Sequence, residues 1–107
     1  MRVELTEMLW FEEHSITLSE LSELCALPLP LLEDLVGGGA IVPLDDEASE
    51  PRFGAQALNA ARAARRLRDD FELDAAGLSL ALGLLDRVQE LEHEIRALRA
   101  RLPGTIR

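Results

Sequence analysis

The 107-residue chain has no lysine and no tyrosine, a single cysteine (Cys25) and a single tryptophan (Trp10). One cysteine excludes an internal disulfide and fits a reducing compartment. No stretch approaches the roughly 18 consecutive apolar residues of a membrane span, and no basic-then-apolar leader opens the chain. A cytoplasmic protein of one domain, with at most an appended helix, is the expectation. Basic side chains are scarce in the front half. Residues 1–60 carry 12 acids and 2 arginines, a net −10, whereas residues 61–107 carry 8 acids and 9 arginines, a net +1. An acidic front half repels phosphate and attracts a basic partner, although the same charge also serves solubility alone. That every base is arginine reads as genomic bias rather than mechanism.

The parts of a catalytic site are missing too. His14 and His93 stand alone in the sequence, and Cys25 reads as a small buried hydrophobe rather than a nucleophile. No cysteine and histidine set has zinc spacing. Gly37-Gly38-Gly39 lacks the following Lys-Ser/Thr of a phosphate loop, so it reads as a helix stop. Asp45-Asp46 and Asp69-Asp70 are ordinary surface patterns. No enzyme, cofactor or metal site is expected.

What is present is one long regular stretch, Asp74 to Leu102. Apolar residues fall at Ala81, Leu84, Val88, Leu91, Ile95, Leu98 and Leu102, alternating steps of three and four. That spacing is the a/d pattern of a coiled-coil seam. Asp74 is a suitable N-cap, and Pro103-Gly104 ends the helix. Arg87, Glu94 and Arg101 occupy g positions, with Glu92 and Arg99 at e, so a parallel pair would set Arg87 against Glu92 and Glu94 against Arg99. The stripe packs either on its own chain or on a partner. For 74–85, apolar almost all round, packing on its own chain is expected. For Val88, Leu91, Ile95, Leu98 and Leu102 a dimer seam is expected.

In the front of the chain, Met1 to Glu13 reads as a short strand or an arm laid on the core, with Trp10 as an anchor. Thr17-Leu18-Ser19-Glu20 is a capping box and predicts a helix to about Cys25, with Leu18, Leu21 and Leu24/Cys25 inward. Pro28 and Pro30 suit the first turn of a second helix, whose apolar face is Leu31, Leu32, Leu35 and Val36. Ala40 to Pro43 reads as a strand and Arg52-Phe53 as its return, with a polar acidic loop from Asp45 to Pro51 between them. Residues 54–70 predict an alanine-rich helix with Leu58, Ala61, Ala64 and Leu67 inward. Two short helices, a two-stranded wing, a third helix and a long terminal helix give a mainly all-α winged helix-turn-helix with a coiled-coil tail. The expected division is a head over 1–73, the helix over 74–102, and a tail over 103–107.

With this order in view, Leu9-Trp10, Ser15 to Leu21, Leu32 to Val36, Gly39 to Pro43 and above all Arg65 to Asp86 resemble the chaperone-modulator family of CbpM type, within the MerR-like superfamily. The resemblance covers nearly the whole chain. It departs at Ala26, where the family usually has Gly in the inter-helix turn, and at Pro51, where a Trp often stands two residues before Phe53. It implies a protein that binds the J-domain of a DnaJ/CbpA-type co-chaperone, restraining its co-chaperone activity and its association with DNA. Any nucleoid association would then come through that partner. J-domains carry a basic helix, and charge complementarity makes Glu33, Asp34, Asp45, Asp46 and Glu47 the candidate contacts. The alternative is a MerR-like DNA-binding regulator using Arg62, Arg65, Arg66 and Arg68 for phosphates. Against it, the second helix of DNA-binding MerR proteins usually presents Arg and Tyr, whereas Glu33 and Asp34 fall in the matching helix here. A dimerising scaffold for another protein is a third reading.

Overall fold

The computed structural model describes residues 4–45 and 49–102. Its elements run α1 (Leu5–Phe11), β1 (Ile16–Thr17), α2 (Leu18–Cys25), α3 (Leu29–Gly37), β2 (Arg52–Phe53), α4 (Ala55–Phe71) and α5 (Ala75–Arg101). The fold is the mainly helical winged helix-turn-helix with a two-stranded ribbon and a long terminal helix. Asp46, Glu47 and the Pro103-Gly104 stop lie outside the described residues.

The capping box at the start of α2 forms as the pattern requires. Thr17 Oγ1 accepts from the Glu20 amide at 3.2 Å, and Glu20 Oε1 accepts from the Thr17 amide at 2.8 Å. Two otherwise unpaired first-turn amides are thereby satisfied. Leu21 and Cys25 face inward, while Leu24 points out. After α2 the chain reverses through Ala26, at φ 54° and ψ 46°. Pro28 precedes α3 and Pro30 sits in its first turn, where neither amide is missed. Leu32 and Leu35 enter the core. The stop after Gly37 relies on Gly39 at φ 81°, a conformation cheap only without a Cβ.

The ribbon differs from its expected make-up. Arg52–Phe53 is one strand, but its partner is Ile16–Thr17, antiparallel, with Ile16 opposite Phe53 and Thr17 opposite Arg52. Ala40 to Pro43 is not a strand. Its Ile41 amide is already taken by the Leu35 carbonyl at 3.3 Å, and Pro43 has no amide to offer. Only Leu44 reaches the ribbon, donating to the Arg52 carbonyl at 2.9 Å. The apolar character of 40–43 instead delivers Ile41 to the core, 1 % exposed. Residues 5–11 are likewise neither strand nor arm but a helix. It opens on an unusual box, in which the Glu4 amide donates to Glu7 Oε1 at 3.1 Å.

The core joins Leu21, Leu32, Leu35, Ile41, Phe53, Leu58 and Leu78, all fully buried. Ala57, Ala61 and Ala64 line the inner face of α4, and their small side chains let α2 and α5 approach closely. Glu72 closes α4 in the left-handed region at φ 55°. Asp74 then caps α5, its Oδ1 accepting from the Gly77 amide at 2.9 Å. Leu78 and Leu82 bury against the head, whereas Leu80 stays outside and every residue from Gly83 to Leu102 is exposed. The helix therefore projects, and the molecule measures 51 × 34 × 26 Å.

Ala26 holds a left-handed conformation that costs an L-residue roughly 1–2 kcal/mol, and its side chain is exposed. Glycine removes that cost but loses about 0.5–1 kcal/mol of chain entropy on folding. Ala26→Gly is expected to stabilise the chain by about 0.5–1 kcal/mol, read as a higher urea midpoint at unchanged m-value.

Candidate partner-binding surface

α3 alternates inward leucines with outward acids. With Leu32 and Leu35 in the core, Glu33 and Asp34 are exposed, and neither α2 nor α3 carries a base. Asp34 also borders a shallow depression shared with Pro28, Leu31, Arg68 and Asp74. Asp45 is exposed at the far side of the ribbon, directly after Leu44. Of the five acids proposed on charge grounds, three fall among the described residues. Two share the α3 surface, one lies in the wing, and Asp46 and Glu47 fall outside the described residues.

The arginines of α4 are less available than their number suggests. Arg62 makes a bidentate pair with Glu7, Nη1 to Oε1 at 2.7 Å and Nη2 to Oε2 at 2.6 Å. Arg65 donates to Asp69 at 2.8 Å and to the Ala26 and Cys25 carbonyls at 3.0 and 3.3 Å. It thereby satisfies carbonyls at the α2 terminus. Arg66 and Arg68 make no ion pair among the described residues. Half of the proposed phosphate-binding set is thus committed to structure.

The Glu7–Arg62 pair is what fixes α1, a helix with no fully buried residue. The Arg62 hydrogen bond, followed by the Glu4 amide, lowers the Glu7 carboxyl to about 2, and Glu7 raises Arg62 in return. Phe11 packs against the core. Trp10, expected as the anchor, stays 45 % exposed. It meets Phe11 edge-on and stacks on His14 at 4.3 Å, and His14 Nδ1–H donates to the Trp10 carbonyl at 2.8 Å. Cys25 is buried, and burial pushes its thiol up, away from the reactive thiolate. Among the described residues no three His, Cys, Asp or Glu side chains are placed to hold a metal ion. None of the described helices is long and apolar enough to cross a membrane.

On α5 the apolar stripe Val88, Leu91, Ile95 and Leu98 runs helically along the projecting half, each residue 41–58 % exposed. Leu102 stands at the C-cap in extended conformation, so it lies just past the helical seam. Arg87, expected to face a partner's glutamate, pairs within its own helix with Glu90 at 3.0 Å.

A winged helix-turn-helix head with an acidic α3 surface and a long, projecting terminal helix defines a regulator-type scaffold. The comparisons agree. The family model described as MerR HTH family regulatory protein matches residues 16–100. Proteins named chaperone modulatory protein CbpM from Salmonella paratyphi B, Salmonella newport and Salmonella enteritidis are 37 % identical over 71 residues, which is 66 % of this chain and 70 % of each relative. The chain belongs to the MerR helix-turn-helix family and, within it, to the CbpM-type chaperone modulatory proteins. Both descriptions name regulation or modulation rather than catalysis.

The pairing of Glu7 was not legible in advance, because its partner lies 55 residues away. A depressed carboxylate contributes stability that is present above its unfolded value and lost as pH falls through its folded value. Docking of α1 is therefore expected to weaken between pH about 4.5 and about 2. Trp10 fluorescence should change over that range as its contacts with Phe11 and His14 loosen, and Glu7→Gln should remove this acid-dependent step.

Proposed function

We propose that the chain is a cytoplasmic, non-enzymatic chaperone modulator that binds the J-domain of a DnaJ/CbpA-type co-chaperone and restrains its co-chaperone and DNA-associated activities. The observation that carries this reading is the α3 surface. The helix that DNA-binding relatives turn toward the duplex here presents Glu33 and Asp34 and no base. Two carboxylates facing phosphates repel, whereas the same pair attracts a basic protein helix and accelerates encounter with it. The commitment of Arg62 and Arg65 to intramolecular bonds also weighs against the DNA-binding alternative. Asp45, and in sequence Asp46 and Glu47, extend the acidic surface into the wing.

The reading includes a homodimer. The chain divides into a head over 1–73 and a helix over 74–102, whose first part belongs to the head and whose second part pairs two heads. Val88, Leu91, Ile95 and Leu98 form the seam, with Leu102 at its end. Their exposure supports this, since an apolar stripe of that length is costly to leave in water. Exposed e/g pairs are worth only about 0.2–1 kcal/mol each, so the seam supplies most of the association energy.

Calorimetric titration with the J-domain of the co-chaperone from the same organism tests the function. A Glu33→Lys, Asp34→Lys double variant should bind roughly tenfold more weakly, and Glu90→Lys should bind as wild type does. No heat or pull-down with the wild-type chain at low salt would overturn the reading. Dimerisation is checked separately by sedimentation, where Leu91→Asp, Leu98→Asp should give a monomer from a dimeric wild type.

A further inference from the structure

A groove of about 490 Å³ runs between α4 and α5, beside the segment that leads into the wing. Its walls are apolar, formed by Val42, Ala63, Leu67, Phe71, Leu82 and Leu85. Phe71 is 66 % exposed and Leu85 is 43 % exposed. These are large side chains whose neighbours on the head leave much of their surface in water. Asn59 also lines the groove. Its Oδ1 is buried and accepts no hydrogen bond, an uncommon and costly state for an amide oxygen. At the rim stand Asp70 and Asp86, both exposed and neither in an ion pair among the described residues, with Arg66 as the one base.

Two antiparallel helix walls with an apolar floor suit a third helix laid between them, the helix-in-groove mode of recognition. The rim selects the charge of that helix. Two carboxylates against one guanidinium favour a basic flank. We propose that the groove receives an amphipathic helix of the partner, basic on its flank. This rests on the reading of the chain as a binder of a basic co-chaperone domain and adds where the affinity comes from. Exposed acids such as Glu33 and Asp34 steer encounter, but binding strength usually resides in a few apolar anchors seated in a pocket. The groove has such a pocket, and the α3 surface has none.

The test is titration of the J-domain into the wild-type chain and into Leu85→Glu and Asp86→Arg, with sedimentation of each protein alone. Leu85→Glu and Asp86→Arg should each weaken binding at least about tenfold, a loss in the range expected for a central interface residue. Asp86→Arg should also flatten the salt dependence. Asp86 is a solvent-exposed helical position, so its variant keeps the test valid if Leu85→Glu fails to fold. Unchanged affinity in Leu85→Glu and Asp86→Arg, with Glu33→Lys, Asp34→Lys still weakened, would overturn the groove while leaving the function standing. A wild-type chain that binds no J-domain would remove both. A Leu85→Glu protein that becomes monomeric yet keeps full J-domain affinity would assign the groove to the homodimer and overturn the proposal.

Discussion

Leu78, fully buried where α5 crosses α3 and α4, is the contact on which the form of the molecule depends. With Leu82 one turn on and the Asp74 cap one turn before, it ties only the first three turns of a 27-residue helix to the head. Truncating one such leucine typically costs about 2–5 kcal/mol, enough to account for much of the marginal stability of a small domain. The alanines of α4 make the contact possible, because larger residues at Ala57, Ala61 or Ala64 would hold the helices apart. Once the helix is anchored at this end, its remaining turns must leave the head, and their apolar stripe is exposed by construction.

Electrostatics then decides what kind of partner. The cations of α4 are drawn inward to hold the fold together: Arg62 clamps α1 through Glu7, and Arg65 ties the end of α2 to Asp69. Glu20 of α2 is used in its own helix cap, whereas Glu33 and Asp34 of α3 are exposed. With Arg62 and Arg65 committed to the fold and Glu33 and Asp34 displayed, the α3 surface is poorly matched to phosphate. The MerR architecture is retained while the chemistry of its outer helix is reversed, which is why fold alone is a poor guide to its ligand.

What could be read in advance was local. The capping residues Thr17 and Asp74 marked helix starts because a cap and its amides lie within three residues of each other. The inward leucines of α2, α3 and α4 followed from helical periodicity, and the exposed α5 stripe from a repeat near 3.5 residues. The distribution of acids, and with it the candidate status of Glu33 and Asp34, needed no coordinates. The α1 helix was missed because its cap is a glutamate, a weak N-terminal signal, and because it buries too little to show a clear apolar face.

Only the tertiary structure decided the matters that join distant residues. Ile16–Thr17 rather than residues 40–43 pairs with Arg52–Phe53, since hydrogen-bonding capacity across a ribbon depends on which amides the rest of the fold has already used. Glu7 meets Arg62 across 55 positions, and Arg52 reaches Ser15 across 37. The groove is set by how α4 and α5 pack against each other, with Phe71 and Leu85 partly exposed along it. The sequence by itself therefore determined where helices start, which faces are apolar and where charge lies, because these follow from short-range periodicity and composition. The pairing of strands, the spending of arginines and the shape left open for a partner were set by packing, where each contact depends on every other.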